Sequence, residues 1–297
     1  VGPDYPHLIT LDWDPGYRAR RIVALIEADD SISLADIQAM QGDVSPVWAE
    51  DVLSYLLVLP SDDGRQAEAL ETLRAWDKRA TRDSAGAALF EPFRLHLLDL
   101  TFGDELGEQL LRRARGSATD ALVEILPDEF SPWFDDVTTP GVETRDEILL
   151  RALDEAVEEL TDTLGRDMGR WRWGDLHTAT FENQSLGHCG VRLVERIFNR
   201  GPVAVDGTIA TVNNTGYTLD SPYGVETVSS QRQIVDLGNL TRSVSMHTTG
   251  QSGHPFHPHY DDMIDPWRNI EYHPMLWERA DVEADAEGVL VLRPKAE

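Results

Sequence analysis

Apolar residues recur at helical spacing through the first half of the chain. Between residues 17 and 28 they fall at Ile22, Val23, Leu25 and Ile26, and Ser33 then stands where an N-cap belongs, ahead of Leu34, Ile37 and Met40. Residues 47–59 continue the pattern until Pro60 stops it, and residues 66–76 turn Ala69, Leu70, Leu73 and Trp76 to one side. Residues 89–100 form a strongly apolar helix, and residues 145–164 set acids against Ile148, Leu149, Leu153, Val157 and Leu160, as an amphipathic surface helix does. The texture changes after Trp171. Gly and Asn become frequent, and short β-prone runs stand at residues 208–212, 225–228, 233–237, 243–248 and 289–292. The pattern predicts an α+β fold, with residues 1–170 mainly helical and residues 171–297 a β-rich part of the same domain. The opening, residues 1–16, carries Pro3, Pro6 and Pro15 and reads as a connector.

Composition narrows the class. The chain has 297 residues, 41% of them hydrophobic, enough for a sizeable core. Its net charge of −27 comes from 53 acids against 26 bases, and Lys78 and Lys295 are the only lysines. Such a surface repels nucleic acid and anionic membranes, so neither is an expected partner. It suits a high-salt environment, where screening relieves self-repulsion, and a halophilic protein is expected. Cys189 is alone, so no intrachain disulfide forms, and it is expected to be a small buried residue. No run approaches the length of a membrane span, and the N-terminus lacks a secretory pattern. The chain begins at Val1 rather than Met and reads as processed or truncated. Residues 281–287 form an acidic run, most simply a solvated loop.

Two clusters invite chemistry on their own. Gly250-Gln251-Ser252-Gly253-His254-Pro255 superficially resembles the loop around a chymotrypsin-type serine, but His7 lies in a connector, His96 in a helix, and no motif of that class surrounds His177. His254, His257, His259, Asp261 and Asp262 crowd into nine residues. On a strand, His257, His259 and Asp261 would share one face and offer two imidazoles and a carboxylate to iron or zinc, although Pro255 and Pro258 interrupt a regular strand. A metal-dependent enzyme therefore stands as one alternative, and a non-catalytic structural or binding protein as another.

A set of segments taken together points elsewhere. In order, they are Tyr17-Arg18-Ala19-Arg20-Arg21-Ile22, Met40-Gln41-Gly42-Asp43-Val44-Ser45, residues 70–77 ending in Trp76-Asp77, and Trp173-Gly174-Asp175-Leu176-His177. Phe198-Asn199-Arg200-Gly201-Pro202, Ser230-Gln231-Arg232-Gln233-Ile234-Val235-Asp236, and Gly250-Gln251-Ser252-Gly253 with His259-Tyr260 and Asp262 follow. Over roughly residues 4 to 293 this series resembles the later part of the β chain of the penicillin acylase family. These are N-terminal-nucleophile amidases, whose members also cleave cephalosporin side chains, acyl-homoserine lactones and lipopeptide tails.

The resemblance implies a partial αββα N-terminal-nucleophile hydrolase fold and hydrolysis of a linear amide through an acyl-enzyme, with no organic cofactor. In that family autocleavage of a proenzyme exposes a serine whose hydroxyl attacks and whose own α-amine, with an ordinary pKa of about 7.7 to 8, acts as base. Val1 has neither hydroxyl nor thiol, and the family's oxyanion asparagine belongs a few residues upstream of it, so the chain alone is expected to be inactive. Expected partners are the α chain, the first part of the β chain and a small acyl-amide substrate. Arg18 matches the arginine that supports the nucleophile and substrate end; ion pairing at a helix N-terminal turn is its alternative role. His177, Gln251, Ser252, His259 and Tyr260 match family positions and are read as structural. Trp13, Tyr17 and Trp48 are candidate acyl contacts or core. Some members bind calcium where the chains meet, with Asp4 and Asp12 near that place, but no metal is assigned within this chain. Family members are often periplasmic or secreted; the compartment is left open.

Overall fold

The computed structural model describes residues 5–10, 16–218 and 221–294. The chain divides into two compact units, Val1–Asp30 with Gly42–Ser229, and Ser31–Gln41 with Ser230–Glu297. Helices combined with small antiparallel sheets make it α+β.

The first unit is built on helices α1 (Tyr17–Glu27), α3 (Trp48–Leu56), α4 (Gly64–Ala75), α5 (Ala85–Ile125) and α6 (Arg145–Leu164); α2 (Leu34–Gln41) belongs to the second. Asp63 caps α4 by accepting the Arg65 and Gln66 N–H groups, and Ser84 caps α5 through the Ala87 N–H. Thr144 and Glu147 close a reciprocal capping box on α6. That helix buries Ile148, Leu149, Ala152, Leu153, Ala156, Val157 and Leu160, a broader stripe than a surface helix needs. Trp48, Trp76 and Phe93 surround Phe90 with ring centroids 4.9, 5.2 and 6.1 Å away. The expected helix at residues 89–100 is the first part of α5, which runs through Pro92 and breaks its helical path at Gly107, φ 66° and ψ 160°, a conformation that favours glycine.

The β elements of this unit follow α7 (Trp173–Leu176). Strand β1 (Thr178–Phe181) pairs antiparallel with β2 (Arg200–Ala204), which follows α8 (Arg192–Phe198); β3 (Thr215–Gly216) pairs with β4 (Thr227–Val228). The expected strand at residues 208–212 is instead a turn. Its β-branched side chains serve the backbone: the Thr208 N–H donates to the Thr211 hydroxyl at 2.9 Å, and that hydroxyl lies 2.8 Å from the Asn213 carbonyl.

In the second unit β5 (Gln231–Ile234), β6 (Val244–His247) and β7 (His273–Pro274) form an antiparallel sheet in that order, with Gln231 opposite His247 and Val244 opposite Pro274. Helix α2 packs on β5, and Gln41 accepts the Tyr272 hydroxyl at 2.6 Å. The Ser33 N-cap is present: its hydroxyl accepts the Asp36 N–H at 3.4 Å, and its own N–H and hydroxyl donate to the Asp36 carboxylate. Ile264 and Trp267 of α9 (Ile264–Arg268), with Ile234 and Met246, make the apolar interior of this unit. The run at 289–292 pairs with no strand of the described residues. Cys189, expected inside, is exposed. No described helix is long and apolar enough to cross a membrane.

Candidate functional site

Helix α1 carries the residue singled out for the active-site region. Its first turn starts from Gly16, held left-handed at φ 77°, and the Arg20 N–H closes on the Gly16 carbonyl at 2.8 Å. Tyr17 turns inward, and burial together with Asp120 pushes its hydroxyl pKa up to about 12. Arg20 lies over the Tyr17 ring and pairs with Asp51 at 3.3 Å. Arg21 forks the Asp43 carboxylate with Nε at 3.0 Å and Nη2 at 2.7 Å. Asp43 is buried and also accepts the Ser45 N–H and hydroxyl, so this fork is a structural clamp.

Tyr17 and Arg21 thus fasten one face of α1. Arg18 lies on the exposed side, one and two turns before Ile22 and Ile26, which are exposed as well, with Val23 beside them. The helix presents a cation at the head of an apolar stripe. Asp4, Asp12 and Trp13 lie outside the described residues, and Trp48 is core.

A buried polar network stands apart from α1 in the sequence signals. The Tyr217 hydroxyl donates to Glu91 at 2.7 Å and accepts from Arg94 at 2.5 Å, while Arg94 also reaches Glu91 at 3.1 Å. Although burial opposes it, Tyr217 and Glu91 hold the Arg94 pKa above its usual value, and burial pushes Tyr217 up as well. On α6, Glu159 accepts the Tyr223 hydroxyl at 2.8 Å and binds His96 Nε2 at 2.8 Å. That hydrogen bond raises the His96 pKa against the opposing effect of burial.

His177 is fully buried, stacked on Trp173 at 4.4 Å. Nδ1 lies 2.6 Å from the Tyr223 carbonyl and Nε2 lies 2.9 Å from the Thr215 hydroxyl. A carbonyl only accepts, so Nδ1 carries the proton; the Thr215 hydroxyl also lies 2.9 Å from the Asp206 carbonyl, so its one proton is shared between that carbonyl and the bare Nε2. Burial drives its pKa down to about 4. This is a satisfied core imidazole, as its structural assignment requires.

The loop at 250–262 closes on itself. A Cβ at Gly250 would come within 2.3 Å of the His259 carbonyl oxygen, and the Ser252 N–H donates to that same carbonyl at 2.8 Å. The Ser252 hydroxyl accepts the His254 N–H, which is turn geometry and not a serine aligned on a base. The strand face that would offer a metal site does not form: residues 258–260 make a 3-10 turn, so the alternation that would align His257, His259 and Asp261 is lost. His259 is bracketed by Asp262 at 2.6 Å and Glu287 at 3.0 Å, which raise its pKa. Among the described residues no three His, Cys, Asp or Glu side chains converge as a ligand set.

Comparison with known proteins places these features in a wider frame. A penicillin amidase family model matches residues 1–284. The chain is 29% identical to an acyl-homoserine lactone acylase, QuiP, of Pseudomonas aeruginosa over 92% of its own length and 36% of that protein's. It is 27% identical to the penicillin acylase 2 proenzyme of a Pseudomonas species over 98% of its length and 37% of the relative's. A solved penicillin G acylase from Alcaligenes faecalis matches all of this chain and 56% of its own, at a TM-score of 0.58 and 18% identity, a likeness of fold. The chain therefore spans little more than a third of the curated relatives it matches. With the family model covering nearly every residue, the chain belongs to the penicillin amidase family.

Proposed function

We propose that this chain is part of an acylase that hydrolyses a linear amide of a small acyl compound, with the attacking serine and its oxyanion asparagine outside these 297 residues. The observation that carries the reading is the family match along residues 1–284. The arrangement of α1 supports it: Arg21 and Tyr17 hold the helix, while Arg18 faces away from the unit's own core. In that position Arg18 is a positioning residue for the nucleophile and substrate end. Such chemistry forms an ester between the serine hydroxyl and the acyl group, releases the amine, and then passes the acyl group to water.

The buried polar groups fit a scaffolding role. Glu91, Arg94, Tyr217 and His177 have their partners within the fold and are closed to substrate. The proposed partners of the chain are the remaining parts of the family's processed polypeptide.

The test compares the 297-residue chain with the longer polypeptide that carries it, using a chromogenic phenylacetyl amide and an N-acyl-homoserine lactone. Turnover is expected from the longer protein alone, with a serine found at a new N-terminus by mass spectrometry. Turnover by the 297-residue chain by itself would sink the reading. In the longer protein Arg18→Ala should lower kcat about 100-fold with KM little changed, and Arg18→Lys should recover part of the loss.

A further inference from the structure

Helix α1 buries one side chain, Tyr17, in its first turn, while Ile22, Val23 and Ile26 are exposed. Packing at a single point fixes where a helix starts but leaves it free to roll about that point. The second point is one turn on, where Arg21 Nε and Nη2 reach the two oxygens of Asp43 at 3.0 and 2.7 Å. Tyr17 and Arg21, four residues apart, share one face of the helix, so holding both fixes its rotation and the direction in which Arg18 leaves it. The Arg20–Asp51 pair at 3.3 Å is exposed on both sides and holds little. Asp43 is itself firmly set. Each of its carboxylate oxygens takes one bond from Arg21 and one from Ser45: Oδ1 accepts Arg21 Nε and the Ser45 N–H, and Oδ2 accepts Arg21 Nη2 and the Ser45 hydroxyl. Its main chain is tied as well, the Asp43 carbonyl accepting the Asn213 N–H at 2.8 Å and the Val44 carbonyl accepting the Ala80 N–H at 2.9 Å.

We propose that Asp43 is a positioning residue for the acylase reaction, acting through Arg21 to set the rotation of α1 and with it the placement of Arg18. This rests on the proposed reading, in which Arg18 serves the nucleophile and substrate end. A bidentate ion pair fixes angle as well as distance, which is what a helix with one buried side chain lacks. The carboxylate has no further bond to give, because all four of its lone-pair directions are taken by Arg21 and Ser45. Its charge therefore reaches the reaction only through the helix that it holds. The leverage is large: a group displaced by about 1 Å from its working position loses on the order of 100-fold in rate. Losing the fork leaves Tyr17 as the one buried anchor, so α1 is loosened rather than lost.

A double-mutant cycle in the longer polypeptide tests this, with Asp43→Asn and Arg18→Ala made singly and together and assayed on the phenylacetyl amide. Asp43→Asn alone should lower kcat about 10-fold with KM little changed. In the Arg18→Ala background the same change should cost less than about 2-fold, because the residue that it places is already gone. A loss that is equal in both backgrounds overturns the proposal, since Asp43 then acts on stability or on another group. Full activity of Asp43→Asn overturns it as well. Arg21→Lys keeps the charge but not the fork, and is expected to couple to Arg18→Ala in the same way; it carries the cycle if Asp43→Asn does not fold. Hydrogen exchange read by mass spectrometry supplies a measurement independent of turnover. Amides of α1 should exchange on the order of 10-fold faster in Asp43→Asn and in Arg21→Lys, with α6 unchanged, and unaltered exchange in α1 overturns the proposal. The two failures are separable. An active protein whose two substitutions act independently loses only the positioning role of Asp43. A protein without turnover loses the acylase reading, and exchange still decides whether the clamp sets the helix.

Discussion

At the scale of single residues, the buried charges set the largest stakes. Glu91 and Arg94 sit one turn apart on α5 and are nearly closed to solvent, with side chains 3 and 11% exposed. Removing one partner leaves the other charge buried and uncompensated, so Arg94→Ala should cost about 3–5 kcal/mol of unfolding free energy in urea titrations. Tyr217→Phe, which removes one hydroxyl from the same cluster, should cost about 1–2 kcal/mol. A smaller loss for Arg94→Ala than for Tyr217→Phe would mean that the ion pair is not the centre of the network. His177 makes the stability pH-dependent in a defined direction. Its folded pKa of about 4 lies below the ordinary 6.5, so its contribution is complete above pH 6.5 and is lost as the unfolded chain takes up the proton on the way down to pH 4. The difference between the two states amounts to about 3 kcal/mol over that window. His96 works the other way, since its raised pKa gives stability that is present in acid and lost as pH rises through the raised value. Comparing His177→Gln with the parent at each pH cancels the His96 contribution. The gap between them should close by about 3 kcal/mol between pH 7 and pH 4, and a constant gap would contradict the account.

At the scale of elements, the clearest test is the start of α6. Thr144 and Glu147 bond reciprocally, and the Thr144 hydroxyl accepts the Glu147 N–H at 3.4 Å while its own N–H donates to the glutamate at 2.8 Å. Thr144→Ala should cost about 1 kcal/mol in chemical denaturation, and no change would show that the carboxylate alone caps the helix. Helices of this kind were legible because periodicity and caps are local: α1, α2 and α6 follow from apolar spacing and from Ser33. The rest of α5 was hidden because Gly103 and Gly107 interrupt its pattern, although the chain continues to Ile125. Strands β1 and β2 carried too short a signal, Thr178-Ala179-Thr180-Phe181 alternating over four residues only and Arg200-Gly201-Pro202-Val203-Ala204 being broken by Gly201 and Pro202, so pairing across the chain defines them. The candidate site divides in the same way. Arg18 came from an ordered set of motifs, whereas the Arg21–Asp43 fork and the Glu91–Tyr217 bond join residues 22 and 126 positions apart, for which a single sequence has no local signal.

At the scale of the whole molecule, net charge outweighs any single ion pair. Twenty-six bases cannot neutralise 53 acids, and many of the pairs present are exposed, such as Arg74–Glu71, Lys78–Glu50 and Arg279–Glu283. Exposed pairs of this sort contribute about 0–1 kcal/mol each and weaken as salt is added. The excess acids repel one another over a wider range, because the Debye length is about 10 Å at 0.1 M salt and about 3 Å at 1 M. Salt therefore removes a small attraction and a larger repulsion, and the second dominates when the imbalance is −27. The Tm of the protein should rise steadily as sodium chloride is raised from 0.1 to about 2 M, with most of the screening complete near 1 M. Sodium chloride is the informative salt, since sulfate would also strengthen apolar burial and mix the two effects. A matched series in a non-ionic osmolyte separates screening from general exclusion at the surface. A flat or falling Tm in sodium chloride would mean that the carboxylates are spaced widely enough to be solvated without strain, and the high-salt expectation would fall with it.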